Sequence, residues 1–270
     1  MPWRINLSTR APRLSGGDAL VISNPNSGRT WIRTFLAAYY CARTGHPFSL
    51  DPEQHNDPAI PRIIYTHDLY EHYTKTRLYE RVRSKFLVPR AELKRAPILL
   101  LARDPRDTFV SHYHELTRRT METAGALHGR TIGEILRDPV HGIDLMVRTI
   151  NEWLAEFGAR KDWTLVRYED LHADADAQFR RILHAIGEQQ IAEEHFAHSL
   201  QFSQFGNMKK MEASKQYDAK LLQPGDVNDP ESYKVRRGKV GGYQDYLQAE
   251  DLDYANAAVA RLHARFGYAA

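Results

Sequence analysis

The 270-residue chain has one cysteine, Cys41, which excludes an intrachain disulfide framework and a cysteine zinc cluster and points to a reducing compartment. Long apolar runs are missing too. The opening stretch MPWRINLSTRAPRLSGGD is basic but has no hydrophobic segment able to act as a leader, and nowhere does a run reach membrane-spanning length. A soluble, cytoplasmic protein without a membrane partner is expected. Net charge is also scarce: 37 Lys and Arg against 34 Asp and Glu leave a formal +3, with a sequence pI near 8.9, and the excess is spread along the chain. That balance is too mild for nucleic acid and suits a local site for a small anion. Repeats, low-complexity tracts and Gly/Ser/Pro-rich linkers are absent, so a single domain over 1–270 is expected, with 1–17 as an irregular N-terminal segment.

Four short apolar runs are present: ALVISNP (19–25), IIYTHD (63–68), PILLLARDP (97–105) and WTLVRYEDL (163–171). Each ends in polar or turn residues, as buried parallel strands do when they deliver a loop to a site. Helical spacing follows over 31–42, 106–118, 141–157, 174–186 and 250–266. The alternation predicts an α/β domain with a central, mostly parallel sheet flanked by helices. The polar stretch 209–239, with Pro224, Gly225 and Pro230, reads as a long surface loop of the kind that forms lids, and 120–137 as a second insertion.

After the first run comes NPNSGRTW, 24–31. Gly28 lets the backbone bend and approach a ligand, Ser27 and Thr30 bring hydroxyls, and the following helix offers unpaired amides at its positive end. Such a place suits phosphate. The GxxxxGK[ST] signature is absent, which disfavours an ordinary ATP or GTP loop. A strand, a Ser-Gly turn and a helix occur together in many folds, with the serine as a mere cap. The segment LLLARDPRDTFVSHY adds to the phosphate reading: Arg103 falls at a strand end and Ser111 in the next helix, and arginine is shaped for two-point phosphate binding.

These segments resemble those of the cytosolic-type sulfotransferases. PNSGRTW is similar to the family's PKSGTTW loop, which holds the 5′-phosphosulfate of 3′-phosphoadenosine 5′-phosphosulfate (PAPS). RDPRDTFVSHY is similar to its RNPKDVxVSxY segment for the 3′-phosphate. YEDL at 168–171 resembles a segment whose tyrosine lies near the adenine, Phe205, Met208 and Lys209 resemble FxxMK, and VRRGKVGGY (235–243) resembles RKGxxGxW. All five run in the family's order between about Leu20 and Tyr268. The resemblance implies a P-loop-like sulfotransferase fold that binds PAPS and its product PAP without a metal. It implies a cofactor site of Ser27, Gly28, Arg29, Thr30, Trp31, Arg103, Ser111, Tyr168, Ser203, Phe205, Arg236, Arg237 and Gly238, with Trp31 beside the adenine.

It further implies in-line transfer of a sulfuryl group to a hydroxyl, or an amine, of a small acceptor. His67 in YTHD matches the histidine of the family's KTH segment, its general base. Two positions depart from the pattern: the loop lysine is Asn26, and the lysine two residues before the histidine is Tyr65. Asn26 offers an amide hydrogen bond without charge. Arg29, at a family threonine position, is expected to restore the charge, with Arg33 as a second candidate. The alternative is a PAP-binding protein that has lost transfer. A nucleotide kinase of related fold is disfavoured by the absent GK[ST] lysine and the intact 3′-phosphate segments.

Other constellations are weaker. His112 and His114, at i and i+2 on a helix, point to different faces and make a poor chelate. Glu169 and Asp170, read as neighbours on a strand, point to opposite sides. Lys209-Lys210 and Arg236-Arg237 lack the interleaved aromatics of a nucleic-acid surface. The acceptor is expected among 45–61, 70–90, 120–140 and 209–233, where Tyr70, Tyr73 and Tyr217 are candidate pocket aromatics. The family's KxxxTVxxxE dimer motif is not recognisable around 244–250, which leaves monomer or homodimer open.

Overall fold

A computed structural model of the chain describes residues 14, 16–75, 85–119, 127, 129–214, 217 and 222–269. Most of the expected N-terminal segment and the first part of the 120–137 insertion lie outside the described residues.

Four strands, β1 (Ala19–Ser23), β2 (Ile63–Thr66), β3 (Ile98–Ala102) and β4 (Trp163–Arg167), form a parallel sheet in the order β2-β1-β3-β4. ALVIS and ILLLA are apolar without alternation because β1 and β3 are buried at every position, covered on both faces. Alternate residues feed two cores. Val21, Leu99 and Leu101 join Phe35, Tyr39, Phe179 and Phe196 on one face, while Leu20, Ile22 and Leu100 join Phe86, Trp153 and Phe157 on the other. Full burial of each such side chain is worth about 1.5–3 kcal/mol, so the two faces supply most of the drive to close the domain.

Around the sheet lie α1 (Arg29–Thr44), α2 (Asp68–Lys75), α3 (Arg90–Arg95), α4 (Pro105–Arg118), α5 (Ile132–Leu136), α6 (Ile143–Phe157), α7 (Tyr168–Ala173), α8 (Ala175–Ala185), α9 (Glu193–Phe202), α10 (Phe205–Ser214) and α11 (Ala249–Val259). Phe35 of α1 stacks on Phe179 of α8 with ring centroids 3.9 Å apart, which seats α1 on the first face. From β1 the chain runs to β2 on one side, then crosses to β3 on the other. The loops after β1 and β3 therefore diverge at the carboxyl ends of the strands, the place where open α/β sheets form a crevice.

The expected class and sheet are present, but several boundaries differ. The run WTLVRYEDL stops being a strand at Arg167, and Tyr168 opens α7. Glu169 and Asp170 fall in that helix's first turn, where the dipole favours carboxylates, so the opposite-sides placement does not hold. Glu169 is structural: it accepts from the Asp104 amide (2.9 Å) and the Tyr268 hydroxyl (2.8 Å). The 141–157 helix starts at Ile143, after Gly142, and the 250–266 helix ends at Val259, with a separate turn at Ala264–Phe266. The stretch 209–239 begins inside α10, whose Met208 and Met211 bury against Leu50, Leu222 and Val235 and so hold a helix that propensity did not announce. Similarly, α2 takes the start of the 70–90 stretch, of which 76–84 lies outside the described residues.

Candidate active site

Two residues in left-handed conformation, Asn26 (φ 63°) and Gly28 (φ 97°), bend the chain sharply after β1. Glycine is required at 28, because a Cβ there would lie 2.4 Å from Cδ2 of Tyr168. Gly28 is the N-cap of α1, and no side chain closes that helix end. Ser27, expected in the cofactor site, is buried and does not cap the helix, and the cleft wall is made by its neighbours Asn26 and Gly28. The positive end of a 16-residue helix is thus left to a ligand, with Arg29, Thr30 and Trp31 lining the space before it.

That space is a cleft of about 1070 Å³, partly open to solvent, at the switch point of the sheet. One wall is the turn and the start of α1. The floor includes His67, Arg103, Asp107, Ser111, Glu115 and Tyr168, and the far wall is Phe205, Met208 and an irregular strap, 234–246, that contributes Lys234 through Lys239 and Tyr246. Among the described residues, seven Lys or Arg and two carboxylates line it, so a mildly charged chain concentrates positive charge here.

Arg103 leaves the end of β3 and lies over the Tyr168 ring, 4.4 Å from its centroid. Nη1 donates to Ser111 Oγ (3.2 Å) and to the Asn26 carbonyl (3.1 Å), and Nη2 donates to the Lys239 carbonyl (3.3 Å). Its Nε is buried without a hydrogen-bond partner. Arg103, just after β3, and Ser111, in the second turn of α4, thus meet in the cleft. Arg236 donates to Glu231 (2.8 Å) and Tyr246, and Arg237 pairs with Asp245 (2.7 Å), so both strap arginines reach the cleft already held by acids. Gly238 has φ 59°, and a Cβ there would fall 2.5 Å from the Phe205 ring. Trp31 lines the cleft but also packs edge-on against Tyr168 and Phe179, at 6.0 and 5.8 Å, so it fills core as well.

His67 follows β2, and its Nδ1 lies 2.8 Å from the Ser23 carbonyl. A carbonyl only accepts, so Nδ1 carries the proton and the basic lone pair belongs to Nε2. Ser203 is fully buried with its hydroxyl 3.5 Å from the Leu200 carbonyl and is not part of the cleft wall. Tyr70, Tyr73 and Tyr217 are also off the wall: Tyr70 meets His112 (2.7 Å), Tyr73 meets Glu152 (2.9 Å), and Tyr217 packs on Phe48. His112 and His114 turn to different partners, Tyr70 and Glu231. Among the described residues no group of three His, Cys, Asp or Glu could hold a metal, and no helix is long and apolar enough to cross a membrane.

The two departures from the motif have specific surroundings. The Asn26 amide donates to Glu115 Oε2 (2.5 Å) and approaches His112 Nδ1 (3.2 Å). Tyr65 lies beneath Arg33, whose guanidinium is 4.8 Å from the ring centroid and donates to the Leu50 carbonyl. Arg29 is pulled down to about 10, by burial first and by Arg33 second, and its Nη1 is buried without a partner. Sequence reasoning missed two charged groups here, Lys234 and Glu115, which stand 3.6 Å apart. Burial opposes charge on both. It lowers Lys234, whereas on Glu115 it is outweighed by Lys234, His112 and the Asn26 amide, which hold the carboxyl at about 2. The only hint in the sequence was a lysine directly before the VRRG segment.

A parallel sheet with a glycine turn and helix end at its switch point, faced by an arginine-serine pair, defines an α/β protein with a cation-rich cleft at the carboxyl ends of its strands. The chain belongs to the sulfotransferase family: the model of the sulfotransferase domain matches residues 17–267. Human sulfotransferase 2B1 is 23% identical over 260 residues, 93% of this chain and 68% of that one. Cytosolic sulfotransferase 12 of Arabidopsis thaliana is 22% identical over 250 residues, 87% of this chain and 75% of its own. Among solved structures, mouse sulfotransferase SULT7A1 complexed with PAP superposes with a TM-score of 0.58 at 17% identity, covering 96% of this chain and 91% of its own. Retinol dehydratase in complex with retinol and PAP gives 0.59 at 17% identity, covering 90% and 80%.

Proposed function

We propose that the protein transfers the sulfuryl group of PAPS to a hydroxyl, or an amine, of a small acceptor and releases PAP. The carrying observation is convergence: an uncapped helix end, the Arg103–Ser111 pair and the His67 imidazole face one cleft. Among the described residues, two buried guanidinium nitrogens in that cleft, Arg29 Nη1 and Arg103 Nε, have no hydrogen-bond partner, which fits a bound anion. That relatives of this fold were solved with PAP supports the same ligand.

PAPS, when bound, supplies an activated sulfuryl group on a phosphate leaving group. The α1 amides, Thr30 and Arg29 hold the 5′ side and meet the charge that grows there. Arg103 and Ser111, with Arg236, Arg237 and the Gly238 amide, hold the 3′-phosphate and fix orientation at a distance from the chemistry. Trp31, Tyr168 and Phe205 receive the base between aromatic surfaces. His67 Nε2 accepts the acceptor's proton as the new sulfur–oxygen bond forms. A single cysteine and kinship with cytosolic sulfotransferases support a cytoplasmic setting.

Calorimetry with 3′,5′-ADP, paired with radiolabelled PAPS and a panel of phenols, alcohols and amines, tests the reading. Binding together with a labelled product is the expected result. Binding without transfer across the panel selects the second reading, a PAP-binding protein, which the missing lysines and the engaged Asn26 amide favour. Absence of binding at millimolar ligand sinks both.

A further inference from the structure

We propose that Lys234 supplies the positive charge that position 26 lacks, donating to the oxygen that bridges sulfur and the 5′-phosphate as that oxygen takes up charge. The inference rests on the sulfuryl-transfer reading above. It assigns a role to a residue that no motif in the sequence singled out.

The first observation is a shared carboxylate. Asn26 Nδ2 donates to Glu115 Oε2, while Lys234 Nζ stands 3.6 Å from Oε1 of the same group. The ammonium therefore lies one carboxylate's width from the side chain where a longer, charged residue would otherwise reach. The second is access. Lys234 lines the cleft with Arg29, Arg103 and His67, its side chain keeps 22% of its surface exposed, and among the described residues its ammonium makes no hydrogen bond. An ion pair at that distance restrains the lysine without saturating its three donors.

The third is a fixed root. The backbone amides of Lys234 and Val235 donate to Glu212 Oε1 (2.6 Å) and Oε2 (2.7 Å), and Glu212 is fully buried on α10. The lysine thus springs from an anchored point in an otherwise irregular strap, the arrangement that lets a donor act without costly reorganisation. In the step, the acceptor oxygen bonds to sulfur as the sulfur–bridging-oxygen bond breaks. That electron pair stays on the bridging oxygen, the acceptor's proton goes to His67 Nε2, and Lys234 remains protonated throughout. Glu115 acts through Lys234 and Asn26 and is a positioning residue.

The test compares Lys234→Gln, Lys234→Arg and Arg29→Ala by single-turnover transfer from radiolabelled PAPS to the best acceptor of the panel, with PAP affinity measured alongside. Lys234→Gln should slow transfer about 100-fold or more, the usual loss when one donor to a developing oxyanion is removed, while PAP affinity changes by less than about threefold. Lys234→Arg should recover much of the rate and move the alkaline limb of the pH–rate profile upward, since a guanidinium does not titrate there. The groups that bear on that limb are Glu115, Arg119, Arg29 and Glu212, which face the ammonium, and Lys234 itself lies below the ordinary lysine range through burial. An unchanged rate in Lys234→Gln overturns the proposal, as does a loss that tracks PAP affinity in proportion. A silent Lys234→Gln beside a crippled Arg29→Ala assigns the charge to Arg29 alone. If wild-type protein neither binds PAP nor uses PAPS, the underlying function fails instead, which no Lys234 variant can mimic.

Discussion

The two walls of the cleft, the turn at 24–31 and the strap at 234–246, both present backbone and cations to the same space, yet they are held in different ways. The turn is local: a buried strand delivers it, a left-handed glycine bends it, and a helix 16 residues long begins at once. The strap has only a short 3₁₀ turn at Gly242–Asp245 and depends on acids remote in sequence. Glu212 accepts the amides of Lys234 and Val235, and Asp107 accepts those of Gly241 (2.7 Å) and Tyr243 (2.9 Å). Buried carboxylates here do the hydrogen bonding that a sheet or helix does elsewhere, because every buried amide needs an acceptor. A tight turn and an irregular strap are thus held by different means, one by local geometry and one by long-range pairing.

The largest effect expected separates chemistry from anchoring within the cleft. His67→Ala should lower the transfer rate by about 10²- to 10⁴-fold with PAP affinity nearly intact, read by single-turnover kinetics and calorimetry. A parallel loss of both would make the histidine part of the binding wall. Next, Asp107→Ala should release the strap. It strands two amides and removes the counter-charge 3.9 Å from Arg103, so urea unfolding should show about 2–4 kcal/mol of lost stability and the Gly241 and Tyr243 amides should exchange faster. If those amides stay protected, the strap has another hold and the contrast drawn above is wrong.

On the turn side, Gly28→Ala combines a positive φ with a contact on the Tyr168 ring and should cost about 1–3 kcal/mol in thermal or urea unfolding. A neutral outcome would show that the turn relaxes. An effect of similar size, but dependent on pH, concerns the carboxylate between the walls. Glu115 sits at about 2 in the folded chain, below its ordinary value near 4.5, so its contribution is present above the unfolded value and is lost as pH falls through about 2. The stability gap between wild type and Glu115→Gln should therefore be about 1–3 kcal/mol at pH 7 and shrink between about pH 4.5 and 2. A gap that stays constant over that range removes the charge network as its cause.

Legibility followed the same divide. ALVIS and ILLLA could be read as central strands because apolarity at every position leaves few other homes for such runs, and Gly28 and Arg103 could be placed because one caps a helix and the other follows a strand end, with Ser111 two helical turns further on. Ser27 and Ser203 look like ligands by motif, yet both are buried away from the wall, since a sequence match does not say which way a short side chain faces. The loop expected over 209–239 fails at its start, 209–214, because the helix there is held by Leu50 and Val235, which lie elsewhere in the chain. The Asn26–Glu115–Lys234 group was invisible for the same reason: its members come from the first turn, the third helical turn of α4 and the strap.

The sequence by itself determined the parallel α/β sheet, the glycine turn after its first strand and the order of the motif segments, because these depend on hydrophobic runs and backbone preferences that act over a few residues. Only the tertiary structure decided which cations share the cleft and which carboxylates restrain them. Charge pairing and burial depend on distance in space, and in this chain residues that meet at the site, such as Asn26 and Lys234, lie more than two hundred positions apart.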